Sequence, residues 1–228
     1  MYRNFIAFFL AAGALVPSAA IAQDEGESRG PYAVVRAGLG IDADLRLKAA
    51  DVAAPSAFRE SADGKKGWTG EVGLGYDLGG FRVEATAGYA RNVLNRKTTA
   101  QQASFDAGGR LSKLDFMLNG YVDLIPSSKI SPYIGAGIGV ARITSKLERT
   151  AGLVGGTRLN DKDWGFSYQG NAGIAFKLSD KATVDVGIRH QRVTGVNLDG
   201  QIGSPVTARK FNTSYRSTSA LIGLRFGF

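Results

Sequence analysis

The C-terminal run Ala220-Leu221-Ile222-Gly223-Leu224-Arg225-Phe226-Gly227-Phe228 alternates without a break: Ala220, Ile222, Leu224, Phe226 and Phe228 share one parity, and Leu221, Gly223, Arg225 and Gly227 the other. Side chains along a strand point alternately to its two faces. The run therefore predicts a strand with one oily face that stops on an aromatic residue.

The same period recurs upstream. A first strand sets Ala33, Val35, Ala37 and Leu39 against Val34, Arg36 and Gly38. The next two set Trp68, Val72, Leu74 and Tyr76 against Thr69, Glu71, Gly73 and Asp77, and Phe81, Val83, Ala85, Ala87 and Tyr89 against Arg82, Glu84, Thr86 and Gly88. A fourth opposes Leu114, Phe116, Leu118, Val122 and Leu124 to Asp115, Asn119, Tyr121 and Asp123. A fifth backs Ile134, Ala136, Ile138 and Val140 with Gly135, Gly137 and Gly139. The sixth carries Trp164, Phe166, Tyr168, Ala172, Ile174, Phe176 and Leu178 opposite Ser167, Gln169, Asn171 and Lys177, and the seventh Val184, Val186 and Ile188 opposite Asp185, Gly187 and Arg189.

Connections between these segments alternate in length. Asp77 to Gly80, Ile125 to Ser131 and Ser179 to Ala182 are short and rich in the turn formers Gly, Pro, Ser and Asp. The stretches 42–66, 92–110, 147–162 and 193–212 are long. Together these features predict an all-β fold, an eight-stranded antiparallel transmembrane β-barrel with four long external loops and three short periplasmic turns. A soluble sandwich or barrel also alternates, but it hides its apolar face inside. Here aromatics cluster toward both strand ends, with Trp68, Tyr89, Trp164, Phe166 and Tyr168 on the loop side and Tyr76, Phe81, Phe176, Phe226 and Phe228 on the turn side. Two aromatic girdles around an aliphatic band place lipid outside. Past Leu39, Ile41, Ala43, Leu45 and Leu47 keep the parity, which predicts either a strand standing above the membrane or an amphipathic loop segment.

At the N-terminus, Met1 to Asn4 with Arg3 precede an apolar stretch from Phe5 to Val16, then Pro17 and Ala20-Ile21-Ala22. These are the parts of a secretory signal peptide over residues 1–22, cut before Gln23. A short lead at 23–30 and a barrel over 31–228 follow. Beyond residue 22 no run approaches the roughly 20 apolar residues of a spanning helix. The absence of Cys excludes disulfides and thiolate metal sites, so hydrogen-bonded closure must hold the fold.

Loss of residues 1–22 removes Arg3 and no acid, taking the net charge from +8 to +7. The Lys and Arg are scattered and no nucleic-acid motif organises them, so outer-membrane lipid and lipopolysaccharide are the expected partners, not nucleic acid. A monomer is expected.

A barrel of eight strands is just wide enough for inward side chains to fill it. At inward parity stand Arg36, Glu71, Arg82, Glu84, Asp115, Asp123, Asp185, Arg189 and Arg225. Both signs are present, which predicts a lumen plugged by ion pairs and hydrogen bonds, with interior glycines leaving room for the long Arg and Glu side chains. His190 is the single imidazole. Its next outward neighbour is Arg192 and not a Ser, so no catalytic residues, metal site or cofactor are assigned. Arg142, Arg192 and Arg216 break the apolar rule outward on the loop side and predict contacts to lipopolysaccharide phosphates.

The segments Ser131-Pro132-Tyr133-Ile134-Gly135-Ala136-Gly137-Ile138-Gly139-Val140, Val186-Gly187-Ile188-Arg189-His190 and Leu224-Arg225-Phe226-Gly227-Phe228 resemble the porin-family outer-membrane β-barrel domain, the group of OmpA- and OmpX-like barrels. The resemblance covers 31–228; His190 stands where the family commonly has Tyr. It implies residence in the bacterial outer membrane and recognition of Phe228 as an assembly signal by the barrel-assembly machinery. Function is expected to be structural and surface-interacting, with an extracellular ligand met through the loops. The alternatives are a narrow channel for small or hydrophobic solutes and a lipid A-modifying enzyme, because one fold hosts unrelated functions.

Overall fold

The computed structural model describes residues 29–49, 60–63, 66–100, 103–149, 158–202 and 207–228. The predicted signal peptide, and the predicted lead as far as residue 28, lie outside the described residues. The strands are β1 (Gly30–Ala49), β2 (Glu60–Asp63), β3 (Lys66–Asp77), β4 (Phe81–Ala100), β5 (Ala103–Asp123), β6 (Ile130–Arg149), β7 (Arg158–Lys177), β8 (Ala182–Ile202) and β9 (Thr207–Gly227). Every neighbour is antiparallel, in the order β1-β3-β4-β5-β6-β7-β8-β9, and β1 also pairs with β9. The sheet is closed. β2 is not a ninth wall: Asp44↔Asp63 and Gly40↔Gly67 lie in one register, so β2 prolongs β3 along the same edge of β1. Eight walls result.

Closure satisfies the backbone donors and acceptors that lipid cannot. At the turn end, Gly79 and Gly80 adopt φ of 84° and 82°, a conformation that favours glycine, while the Gly79 amide donates to Asp77 Oδ1 at 2.9 Å. That two-glycine turn sets β4 against β3.

Within the lower half of the barrel the oily parity faces out, with Leu74, Ile138 and Ile222 each about 60% exposed to whatever surrounds the barrel. Higher up, the pattern reverses. Ala43, Leu111, Ala141, Ile143, Val193, Val196, Leu198 and Tyr215 are buried inside, while Arg110, Lys146, Asn197 and Asp199 face out. Two bulges help to bring this about. One lies between Gly40 and Asp42 in β1 and turns Ala43 inward, leaving Ile41 exposed; the other lies between Val193 and Val196, where Gly195 takes φ 77°. A bulge adds one residue to one strand and so flips the faces beyond it.

This reversal corrects two expectations. Ile41 and Ala43 do not share a face. The four stretches 42–66, 92–110, 147–162 and 193–212 are in large part strand and not loop: β4 pairs with β5 up to Ala100↔Ala103, β6 with β7 up to Glu148↔Arg158, and β8 with β9 up to Ile202↔Thr207. The physical reason is the change of solvent. Above the lipid the outer face no longer has to be apolar, so the outward-oily signature ends while the hydrogen-bond ladder continues. Strands of about 20 residues exceed the 9 to 11 needed to cross a bilayer, and the surplus stands outside it as a stalk.

Ile138 lies midway along the lipid-facing part of β6. Replacing it by Arg is expected to lower stability in phospholipid vesicles by about 2–4 kcal/mol, measured by guanidinium titration; an unchanged midpoint would contradict the outward orientation.

Candidate functional site

The lumen is the most constrained chemistry in the molecule. Parity on β1, β3, β4, β5, β8 and β9 brings ionised side chains to the axis, where Arg82 and Glu84 are completely buried. Arg36 donates through Nη1 to Glu84 Oε2 at 2.7 Å and through Nη2 to Glu84 Oε1 at 2.8 Å, and its Nη1 also reaches Glu71 Oε1 at 2.8 Å. Glu71 is held from the other side by Arg189, whose Nη2 and Nη1 approach its two oxygens at 2.7 and 2.6 Å. The Arg189 Nε donates to Asn171 Oδ1 at 3.0 Å.

Nearer the turns, Arg82 clamps Asp123 with Nε and Nη2 at 2.7 and 2.9 Å, and Arg225 clamps Asp185 with Nε and Nη2 at 2.9 and 3.0 Å. Both are fork-to-carboxylate pairs, the geometry in which a guanidinium binds most strongly. Tyr32 donates to Glu84 Oε1 at 2.8 Å, and the Arg82 guanidinium lies 4.9 Å from the Tyr121 ring centre and 5.3 Å from that of Tyr133.

The upper lumen centres on Asp115. Lys113 Nζ lies 2.7 Å from Asp115 Oδ2 and also donates to Gln191, which donates to Ser167 Oγ at 2.9 Å. Lys113 shares the parity of Asp115 but lies just before Leu114, where the alternating run begins, so the sequence pattern does not single it out. Its inclusion matters. With Lys113 the paired network holds five cations, Arg36, Arg82, Lys113, Arg189 and Arg225, against the five carboxylates Glu71, Glu84, Asp115, Asp123 and Asp185.

Interior glycines serve a different purpose from the one expected. A Cβ on Gly135 would meet the Tyr121 ring, one on Gly75 the Tyr32 ring, and one on Gly173 or Gly187 the Tyr133 hydroxyl, each within 3 Å. Gly137, Gly139 and Gly88 make room for Asn119, Met117 and Asp115. Among the described glycines only Gly223, against Arg36, relieves a long charged chain directly. The glycines chiefly admit tyrosine rings, on which the guanidiniums then rest.

Within the wall, a cavity of about 10 Å³ lies beside Asn92, Lys113, Gln191 and Tyr215, room for about one water. At the turn end an open vestibule of about 810 Å³ is lined by Arg29, Lys129, Lys177, Lys181 and Arg225 together with Asp77, Asp123 and Asp180. It ends on the ion-pair layer.

On the outer face, His190 Nδ1 lies 3.0 Å from Thr218 Oγ1, and Gly170 is its partner across β7. Arg142 packs over Trp164 at 6.0 Å from the ring centre. Arg192 and Arg216 are direct cross-strand neighbours on β8 and β9, two strands away from Arg142. The terminal Phe228 is two-thirds exposed at the turn end.

The family model described as outer membrane protein beta-barrel domain matches residues 8–227. An uncharacterized protein of Brucella abortus is 30% identical over 149 residues, 57% of this chain and 52% of its own length, so the chain spans about half the length of the Brucella relatives it matches. A Rickettsia conorii protein with the provisional designation of adhesin is 28% identical over 172 residues, covering 70% of this chain and 67% of that one. Among solved structures, the outer membrane protein OprG from Pseudomonas aeruginosa aligns with a TM-score of 0.53 at 17% identity, over 90% of this chain and 99% of that one, a likeness of fold.

Glu84 faces Arg36, Arg82 and Tyr32 at once, so removing its charge leaves buried guanidiniums uncompensated. Glu84→Gln is expected to destabilise the folded barrel by about 3–5 kcal/mol, read from the guanidinium midpoint in detergent. An unaltered midpoint would show that the lumen does not depend on its pairing.

Proposed function

The chain belongs to the outer membrane protein β-barrel domain family and resides in the bacterial outer membrane, and from this we propose a non-enzymatic role: a closed, rigid post that strengthens the envelope and presents its outer hairpins to partners beyond the cell. The observation that carries the proposal is the filled interior. Where a conducting barrel keeps a water column, this one has interlocked Arg, Glu, Asp and Tyr side chains, with Arg82 and Glu84 wholly buried.

Above the ion pairs the interior gains apolar side chains, with Leu111, Ile143, Val193, Val196 and Leu198 at 1% exposure or less beside the equally buried Ser145 and Thr213. Solute would meet two successive barriers, one of fixed charge and one of packed hydrocarbon. A core of this kind also makes the emergent stalk stiff, since buried apolar side chains pack at crystal-like density. Of the four stretches 42–66, 92–110, 147–162 and 193–212, where the sequence expects an extracellular ligand, residues 50–59, 64–65, 101–102, 150–157 and 203–206 lie outside the described residues. The adhesin designation of the Rickettsia relative supports surface contact as the role.

Two further features fit the same proposal. The exposed Phe228 lies at the turn end, and the assembly-signal role that the family resemblance implies for it fits the same reading. His190 is satisfied by Thr218 on the outer face, and a packing role at the headgroup level suffices for it.

Purified full-length protein in planar bilayers is expected to produce no discrete conductance steps. Reproducible single-channel steps from the unmodified protein would overturn the closed-post proposal in favour of a solute pathway.

A further inference from the structure

Just above the outer aromatic girdle, one side of the barrel wall carries a cluster of outward cations. Outward side chains on β4, β5, β6 and β7 at this level include Arg91, Arg110, Arg142, Lys146 and Lys162. The pairing registers order them into three rungs. The lowest is Leu114↔Arg142↔Trp164, the middle Ser112↔Thr144↔Lys162, and the highest Arg110↔Lys146. Arg91 stands beside Ser112 on the middle rung.

Arg110 and Lys146 oppose one another directly, and like charges placed so are destabilising unless something neutralises them. No described carboxylate faces out among these rungs. The nearest acids on β7, Asp161 and Asp163, stand at the opposite parity, beside the buried Ser145 and Ile143, where Asp163 Oδ2 accepts from the Asn197 amide at 2.8 Å and Asp161 Oδ2 from the Asp199 amide at 2.7 Å. The opposite side of the barrel differs, because there Arg216 and Arg192 have the exposed Asp42, paired with Thr218, close by.

We infer that the β4–β7 face binds the phosphorylated headgroup of a lipopolysaccharide molecule in the outer leaflet, and that Arg142 belongs to this site while Arg192 and Arg216 do not. The inference deepens the outward-facing role proposed above and depends on it only for the barrel's orientation. Three features favour this ligand over other anions. The site begins on the membrane surface, where Arg142 rests on Trp164 and adjoins Leu114, Phe116 and Phe166, which offer acyl chains a wall. It then climbs. Two residues along a strand advance about 6.7 Å, so with a tilt of about 45° the three rungs span roughly 10 Å of height. A glycerophospholipid offers phosphate at one level, whereas a glycolipid with phosphates on its lipid and on its inner sugars offers anions at several. Arg and Lys together suit that ligand, the Arg forks binding phosphate in bidentate fashion and the lysines acting as point charges.

The test uses the full chain in detergent, titrated with phosphorylated and with dephosphorylated lipopolysaccharide, counting bound molecules per barrel by native mass spectrometry. The triple variant Arg110→Glu, Lys146→Glu, Lys162→Glu is compared with the double variant Arg192→Glu, Arg216→Glu, and folding of each is checked by heat-modifiable electrophoretic mobility. The expected result is one tightly held phosphorylated molecule, weakened about tenfold or more by the triple variant or by dephosphorylation, and changed little by the double variant. Equal affinity for the dephosphorylated form or equal loss in the double variant would each overturn the inference. Conductance measured on the same samples reads the closed-post proposal separately. If the triple variant does not fold, the comparison of phosphorylated and dephosphorylated ligand on the unmodified chain decides alone.

Discussion

The pairing of β1 with β9 is the constraint from which the rest follows. From Tyr32↔Gly227 to Ala49↔Phe211 the first and last strands complete each other's ladder, so no edge is left in lipid, where an unpaired amide or carbonyl would cost several kcal/mol. Closure at eight strands also fixes the bore. An interior of eight strands is just wide enough for inward side chains to fill it, and here it holds guanidiniums, carboxylates and tyrosine rings. Burying such charges is unfavourable unless each finds a partner. The five-to-five balance of the network, reached only when Lys113 is counted, is the physical answer to that demand.

A second consequence is the exchange of faces along each strand. In lipid the oily side chains must point out and the polar ones in; in water above the membrane both preferences reverse. Some strands manage this by composition alone. On β6 the inward side runs from Gly137 and Gly139 to Ala141 and Ile143, while the outward side runs from Ile138 and Val140 to Arg142 and Lys146. Others require a bulge, as at Gly40/Asp42 and at Gly195. The outward cations of β4–β7 are a product of the same exchange, since the outer surface turns polar where the girdle ends.

Much of this was legible in the sequence wherever one solvent governs a whole segment. The runs around Leu74, Ile138 and Ile222 show period two plainly, and the short turns are marked by Gly79-Gly80, Pro126 and Ser179-Asp180. Legibility ended where the solvent changed. The stretches 92–110 and 193–212 lost their outward-oily signature and so resembled loops, although their backbones stay paired. Partners inside the bore were not readable either: parity puts Arg36, Glu71 and Glu84 on the same side of the wall but does not say that Arg36 reaches two carboxylates on different strands. Tyr32 and Tyr133 sit beside Pro31 and Pro132, just before the alternating runs that begin at Ala33 and Ile134; the glycines opposite them, Gly75 and Gly173, are the available signal.

The most direct measurement is the lipid contact of each face. The natural chain has no Cys, so single substitutions Leu74→Cys, Ile138→Cys and Ile222→Cys on the oily parity, and Thr86→Cys and Ser167→Cys on the inward parity, can carry a small fluorophore in bilayers of brominated lipid. Strong quenching at the first three positions and little at the last two is predicted. Quenching at the inward pair with none at Leu74, Ile138 and Ile222 would mean that the barrel is turned inside out, and the closed, charge-filled interior with it.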